Sequence, residues 1–218
     1  MATRTFTHLY DDYDDARRTV EALETAGVPQ SDISIVSNNA DNRHTVTGAP
    51  TGTTAGSTLA GDTASDDNRA GTGATTGTLV GGGLGLLTGL GLLAIPGVGP
   101  VVAAGWLIAT VTGAGIGAAG GGLLGSLVHA GVPEEHAHAY AEGVRRGGTL
   151  VTVRGDDTQA ATIESVLNGR TSNAVDMTAR RADYQADGWE KFQDTAPGYT
   201  ADQIAADRTR RVQVVKSI

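Results

Sequence analysis

The sequence predicts an α+β protein: a ferredoxin-like four-stranded antiparallel sheet with two helices, interrupted by an inserted glycine-rich helical hairpin. Three observations predict it. Two stretches, one at the start of the chain and one after Pro133, read as strand–helix–strand units. They repeat one another: Asp14-Asp15 and Asp156-Asp157 stand at strand–helix junctions, Gly27 and Gly169 close the helices, and the second Asp precedes the Gly by 12 residues in both. Between them, Thr78 to Val128 carries no charged residue.

The elements follow in order. TFTHLY (Thr5–Tyr10) is rich in β-formers and reads as a strand. Asp11, Asp12, Asp14 and Asp15 come next, where carboxylates can accept hydrogen bonds from the free N–H groups of a first helical turn. The spacing of Ala16, Val20 and Leu23 predicts a helix to about Ala26. Gly27, Val28 and Pro29 are its stop signal. DISIV (Asp32–Val36) is the second strand. Ser37 to Thr76, rich in Thr, Gly, Ala, Asn and Asp, reads as a flexible linker.

After the apolar block, PEEHAHAYAEGVRRGG is a marked helix. Pro133 starts it, Glu134 and Glu135 lie in its first turn, Arg145 and Arg146 in its last, and Gly147 beyond. TLVTVRG (Thr149–Gly155) is a strand, Asp157–Asn168 a helix, and AVDMTAR (Ala174–Arg180) the last strand. A polar tail with Trp189, Phe192 and Tyr199 follows, with a short helix over about Thr200–Arg211. The division is therefore 1–37 and 132–181 for the two halves of the α+β domain, 38–76 for the linker, 77–131 for the hairpin and 182–218 for the tail.

Of the 32 glycines, 20 lie between Ala70 and Pro133. Gly73, Gly77, Gly81, Gly85 and Gly89 recur every fourth residue. After Pro96-Gly97-Val98-Gly99-Pro100 comes a second series: Gly105, Ala109, Gly113, Gly117, Gly121 and Gly125. On helices these positions share a face, so two backbones could approach as in small-xxx-small packing. Each interior glycine costs a water-exposed helix about 1 kcal/mol relative to alanine. Lipid or tight packing in an oligomer would have to offset that. Thr76–Ile95 matches one bilayer span and Pro100–Val128 exceeds one, a hydrocarbon core needing about 20 residues. Against insertion, the flanking Asp66, Asp67, Glu134 and Glu135 are acidic. The pattern predicts membrane association or homo-oligomerisation, with Gly77, Gly81, Gly85, Gly89, Gly105, Gly113, Gly117, Gly121 and Gly125 as helix-packing residues.

Other chemistry is sparse. The formal net charge of -8 argues against nucleic-acid binding, which needs basic residues to neutralise phosphates. Cysteine is absent, which excludes disulfides and thiolate metal sites. Gly115, Gly117 and Gly120 fit GxGxxG, with Glu135 some way on, which raises a dinucleotide-binding turn as a remote alternative. Too few strand–helix units follow to build the sheet that turn requires. His136 and His138 are two apart on a helix and point apart, and His8 lies on a strand. Ser31, Ser34 and Ser37 have no His–Asp arrangement near them. Trp189 and Phe192 are expected to dock on a domain surface or a partner. No catalytic residue, metal site, cofactor or small-molecule substrate emerges. MATRTFTHLYDD lacks the apolar core of a signal peptide, so the expected location is the cytoplasm or the cytoplasmic side of the inner membrane.

The opening LYDDYDDARRTVEALETAGVPQSDISIVS, the join GVPEEHAHAYAEGVRRGGTLVTVRGDD and the tail GWEKFQDTAPGYTADQIAADR resemble the bacterial heat-induced, general-stress-protein family with a glycine-rich central insertion. The resemblance implies a cytoplasmic or membrane-associated stress-response role and carries over no enzyme activity, cofactor or ligand residues. The expectation is a non-enzymatic stress-response protein, membrane-associated or self-assembling through the glycine-zipper hairpin. The alternative is a soluble regulatory module that binds a ligand or partner.

Overall fold

The computed structural model describes residues 3–42, 91–108, 122–169 and 172–216. β1 (Arg4–Tyr10) leads into α1 (Tyr13–Thr25) and, after a 3-10 turn at Gln30–Asp32, into β2 (Ile33–Asn38). Then come β3 (Gly91–Ile95), β4 (Gly99–Gly105), α2 (Gly122–His129), α3 (Glu134–Arg145) and β5 (Thr149–Gly155). α4 (Ala160–Leu167), α5 (Met177–Ala186) and α6 (Ala201–Lys216) complete the described chain.

The five strands form one sheet in the order β1-β5-β2-β4-β3, and every neighbouring pair is antiparallel. β1 and β2 therefore run the same way with β5 between them. This is a split strand–helix–strand unit, with α1 as the crossover. One row of the sheet reads Leu9–Leu150–Val36–Ala103 across four strands.

Side-chain alternation sends this row to one face and its neighbours to the other. Leu9, Leu150, Val36, Val101 and Ala103 pack with Leu123 and Leu127 of α2 and Ala137, Ala141 and Val144 of α3. Tyr10, Val151, Val153, Ile33 and Ile35 pack with Ala16, Val20 and Leu23 of α1 and Ile163 and Leu167 of α4. A strand covered on both faces is apolar nearly throughout, and all six residues of β2 are buried.

Two expectations are corrected. Among the described residues the sheet has five strands, because part of the apolar block is a β-hairpin and not a helical one. Pro96-Gly97-Val98 make the turn, and β4 pairs with β2 from Ser34↔Gly105 to Asn38↔Val101. The helical reading rested on glycine spacing. The competing signals won: prolines at 96 and 100 break a helix, while Val101 and Val102 suit a strand buried on both faces. Gly105 has a φ of +97°, and a Cβ there would stand 2.2 Å from the Ile33 carbonyl oxygen. It is the contact point of β4 with β2, not a groove residue on a helix.

The expected strand at 174–180 is instead mostly α5. Val175 N–H donates one bond to the Leu9 carbonyl, at 2.8 Å, and then Asp176 caps the helix by accepting from Thr178 N at 2.8 Å. The residues after it, TARRADYQA, are mostly good helix formers, and one capping carboxylate is enough to start them. The fourth strand of a ferredoxin-like sheet is thus missing beside β1 among the described residues.

Candidate functional site

The site with the most chemistry gathers at the C-terminal end of α3. Glu142 and Arg146 stand one helical turn apart, and both are almost fully buried. Arg146 Nε donates to Glu142 at 2.8 Å, and its Nη1 reaches Asp187 at 3.2 Å and Asp207 at 3.4 Å. The guanidinium also lies 4.4 Å from the Tyr184 ring centre and 5.7 Å from that of Tyr199. Burial alone would favour the neutral base, but the Glu142 hydrogen bond and charge outweigh it and hold Arg146 firmly protonated. Asp207 accepts in addition from Arg210 at 2.5 Å and is ion-paired with Arg211 at 2.8 Å. Charges this buried are tolerated only when paired.

This network fixes the tail. Asp187 ends α5 and Asp207 lies on α6, so Arg146 draws both tail helices to one point. Between them, Phe192 is buried in the same core cluster as Ile95 and Val98. A Cβ on Gly198 would meet the Val98 carbonyl oxygen at 2.7 Å, so the tail backbone runs against the β3–β4 turn. Arg145 donates to the Pro197 carbonyl at 3.1 Å and lies over Tyr199 at 4.9 Å. Ile204 is buried against Gly147, and Arg208 donates to the Gly147 carbonyl at 2.8 Å. The expectation that Phe192 docks on a domain surface is met. Trp189 packs edge-on against Tyr184 at 5.7 Å.

A second feature is an open polar cleft of about 410 Å³ at the carboxyl ends of β1 and β2, lined by Asp12, Tyr13, Asp14, Ser37, Asn38, Asp41 and Arg208. Several of its walls are engaged in bonds of the fold. Asp12 caps α1 through Asp14 N at 2.8 Å, and Ser37 shares a hydrogen bond with Thr149 at 2.8 Å. Asn38 donates to the carbonyls of Val98 and Arg145, and Arg208 pairs with Asp41 at 3.9 Å. Beside it, burial raises the Asp11 pKa, but the two Arg180 hydrogen bonds and charge more than reverse this and leave it below the usual carboxylate range.

Of the sequence-predicted residues, Gly105 lies in β4 and Gly125 in α2. Gly77, Gly81, Gly85, Gly89, Gly113, Gly117 and Gly121 lie outside the described residues, as do Gly115, Gly117 and Gly120 of the GxGxxG pattern and the linker from residue 43 on. His136 and His138 lie on α3, and His138 stands 3.8 Å from Glu134. His8 is on β1, 3.3 Å from the Asn168 side-chain oxygen. Ser34 donates to the Ala104 carbonyl at 2.9 Å. Among the described residues, no group of three or more His, Asp or Glu is placed to hold a metal ion. No helix among them is long and apolar enough to cross a membrane. Sequence reasoning missed the Arg146 network. Its trace in the sequence is Glu142 at i-4 from Arg146, a spacing at which opposite charges pair on a helix.

Among the described residues, one edge of the sheet is β3, GLLAI. Leu93 and Ile95 pack toward α2 and α3, so Leu92 projects to the other face, where it is 58% exposed. The large apolar side chains exposed among the described residues are Leu92 and Val128, and both come from the uncharged block.

Residues 5–85 match the family model described as the heat induced stress protein YflT domain. This agrees with the resemblance to bacterial heat-induced stress proteins. The matched stretch contains β1 from its second residue on, α1 and β2 but not β5, which separates β1 from β2 and bonds to both. The sheet that holds the matched strands is therefore completed by residues beyond the match. No curated protein and no solved structure matches the chain.

Proposed function

We propose that the chain is a non-enzymatic stress-response protein that works by self-assembly through β3, the edge strand of its sheet among the described residues. The family match supports the stress-response part. The observation that carries the assembly part is β3 itself: an uncharged strand, outermost among the described residues, with Leu92 largely exposed. Sheet edges that stay single are commonly guarded by lysine, proline or a bulge. GLLAI has no such guard in its five residues.

A second copy fits this edge by symmetry. A two-fold axis normal to the sheet pairs β3 with its counterpart antiparallel and keeps each face continuous. Residues opposite one another then share a face, so Leu92 meets either Leu92 or Ala94 of the second copy. Both registers cover the exposed leucine. At low ionic strength the net charge of -8 opposes the pairing, so salt should favour it.

Membrane association is the second reading, and Val128, 41% exposed on α2 within the same uncharged block, is the observation in its favour. Light scattering after size exclusion, run with flotation on vesicles, separates the two. Self-assembly predicts a concentration-dependent mass of twice the monomer or more, reduced to monomer by Leu92→Lys, with no flotation. A monomer at all concentrations would overturn it.

A further inference from the structure

The C-terminal segment lies on the domain as a bound peptide would. Between α5 and Thr200 it has no regular structure. Lys191, Gln193, Asp194 and Thr195 are exposed around the buried Phe192. Farther on, Ile204, Asp207 and Arg208 of α6 present an i, i+3, i+4 face to the end of α3, the spacing of a helix laid in a groove. Each anchor has its own receptor. Phe192 fits the β3–β4 turn at Gly97, Ile204 fits Gly147, and Asp207 meets Arg146.

The receptor side looks shaped for this occupant. An added Cβ at Gly97 would strike Phe192 and Asp194, and one at Gly147 would stand 2.4 Å from Ile204. Glycine at these two points leaves room that the segment fills. Arg146, by contrast, would keep Glu142 and Asp187 as partners if the segment left, but would lose Asp207.

We propose that this groove is a peptide-binding site, held in cis by residues 188–211, and that it takes the same segment from a second copy when its own is displaced. Such exchange would join chains without using β3, so it stands apart from edge pairing.

The sequence supplies a clean readout. Lysine occurs only at 191 and 216. A lysine-specific protease must draw Phe192 out of its seat to cut after Lys191, so cutting there reports release. In the full chain, Phe192→Ala with Ile204→Ala should be cut at Lys191 at least about tenfold faster than wild type, because cleavage tracks the free energy of local opening. That variant should bind a labelled peptide of residues 188–211 at least about tenfold more tightly than wild type does, since its groove is less often filled. A peptide carrying Phe192→Ala should not compete. Asp207→Asn, which keeps both apolar anchors, should move both readouts the same way by less. Equal cutting of variant and wild type, or faster cutting without peptide uptake by either variant, would overturn the proposal.

Discussion

Gly97 and Phe192 meet so closely that a methyl group on the Gly97 Cα would stand 2.9 Å from Cζ of the ring. The same carbon would be 2.7 Å from the Asp194 Cα, and the residue has a φ of +74°. The β3–β4 turn and the tail are thus fitted backbone to backbone. Gly97→Ala combines backbone strain with a clash and should cost about 1–3 kcal/mol. Urea unfolding measures it. A neutral result would mean that the tail does not lie on the turn.

Two glycines of the hairpin separate strand from helix. Gly105→Ala would push a methyl into the Ile33 carbonyl at 2.2 Å and the Ser34 Cα at 2.6 Å, at a φ of +97°. A loss above about 3 kcal/mol, or failure to fold, is expected. At Gly91 an added Cβ would reach only the Ala103 carbonyl, at 3.9 Å. Gly91→Ala should be neutral to slightly stabilising, within about 1 kcal/mol, because it restricts the unfolded chain. Thermal melts of the two variants side by side are the check.

Removing Arg146 leaves Glu142 and Asp207 buried without it. Arg146→Met should cost about 3–5 kcal/mol by denaturant titration, the range for breaking one side of a buried ion pair. Adding Glu142→Gln should recover part of that loss, since the carboxylate, left with Arg145 at 3.3 Å as its partner, is then neutral. Loss in the double variant equal to the sum of the singles would show that the two side chains are not coupled.

Tyr140 donates to the Thr7 carbonyl at 2.8 Å, and burial pushes its pKa up to about 12. The fold therefore favours the neutral phenol. That contribution is intact below the unfolded pKa of about 10 and is lost as pH rises from there through about 12. Tyr140→Phe should lower stability near neutral pH by about 1 kcal/mol, one hydrogen bond. Between pH 10 and 12 it should then lose less than wild type does. Burial also raises Tyr10, Tyr13 and Tyr184, so some alkaline loss stays in the variant. Urea unfolding across this pH range reads the difference.

Much of the domain was legible in local chemistry. Gly27 closes α1 with Val28 N–H bonded to the Leu23 carbonyl at 3.0 Å, as the Gly-Val-Pro signal predicts. TLVTVRG is β5 over the same residues expected. α1 and α3 were placed within a few residues, because their caps and apolar spacing agree. What failed depends on distant parts of the chain. Whether GLLAI and GPVVAAG become strands depends on β2, more than 50 residues earlier. Glycine spacing alone fits a helix groove as readily as it fits close contacts between strands. The helix at 177–186 departs from the strand expected over 174–180 because the cap at Asp176 overrides the β-formers around Val175. The Arg146 network joins residues from 142 to 207, a separation that no local pattern records.

The central claim is that the uncharged block contributes β-strands to the sheet. The most direct test is the carbon chemical shifts of Val101, Val102, Ala103 and Ala104 in the intact chain. Strand values, with Cα shifts below and Cβ shifts above those of a random coil, are predicted in buffer and unchanged on adding vesicles. Helical values at these four residues, in either condition, would contradict it.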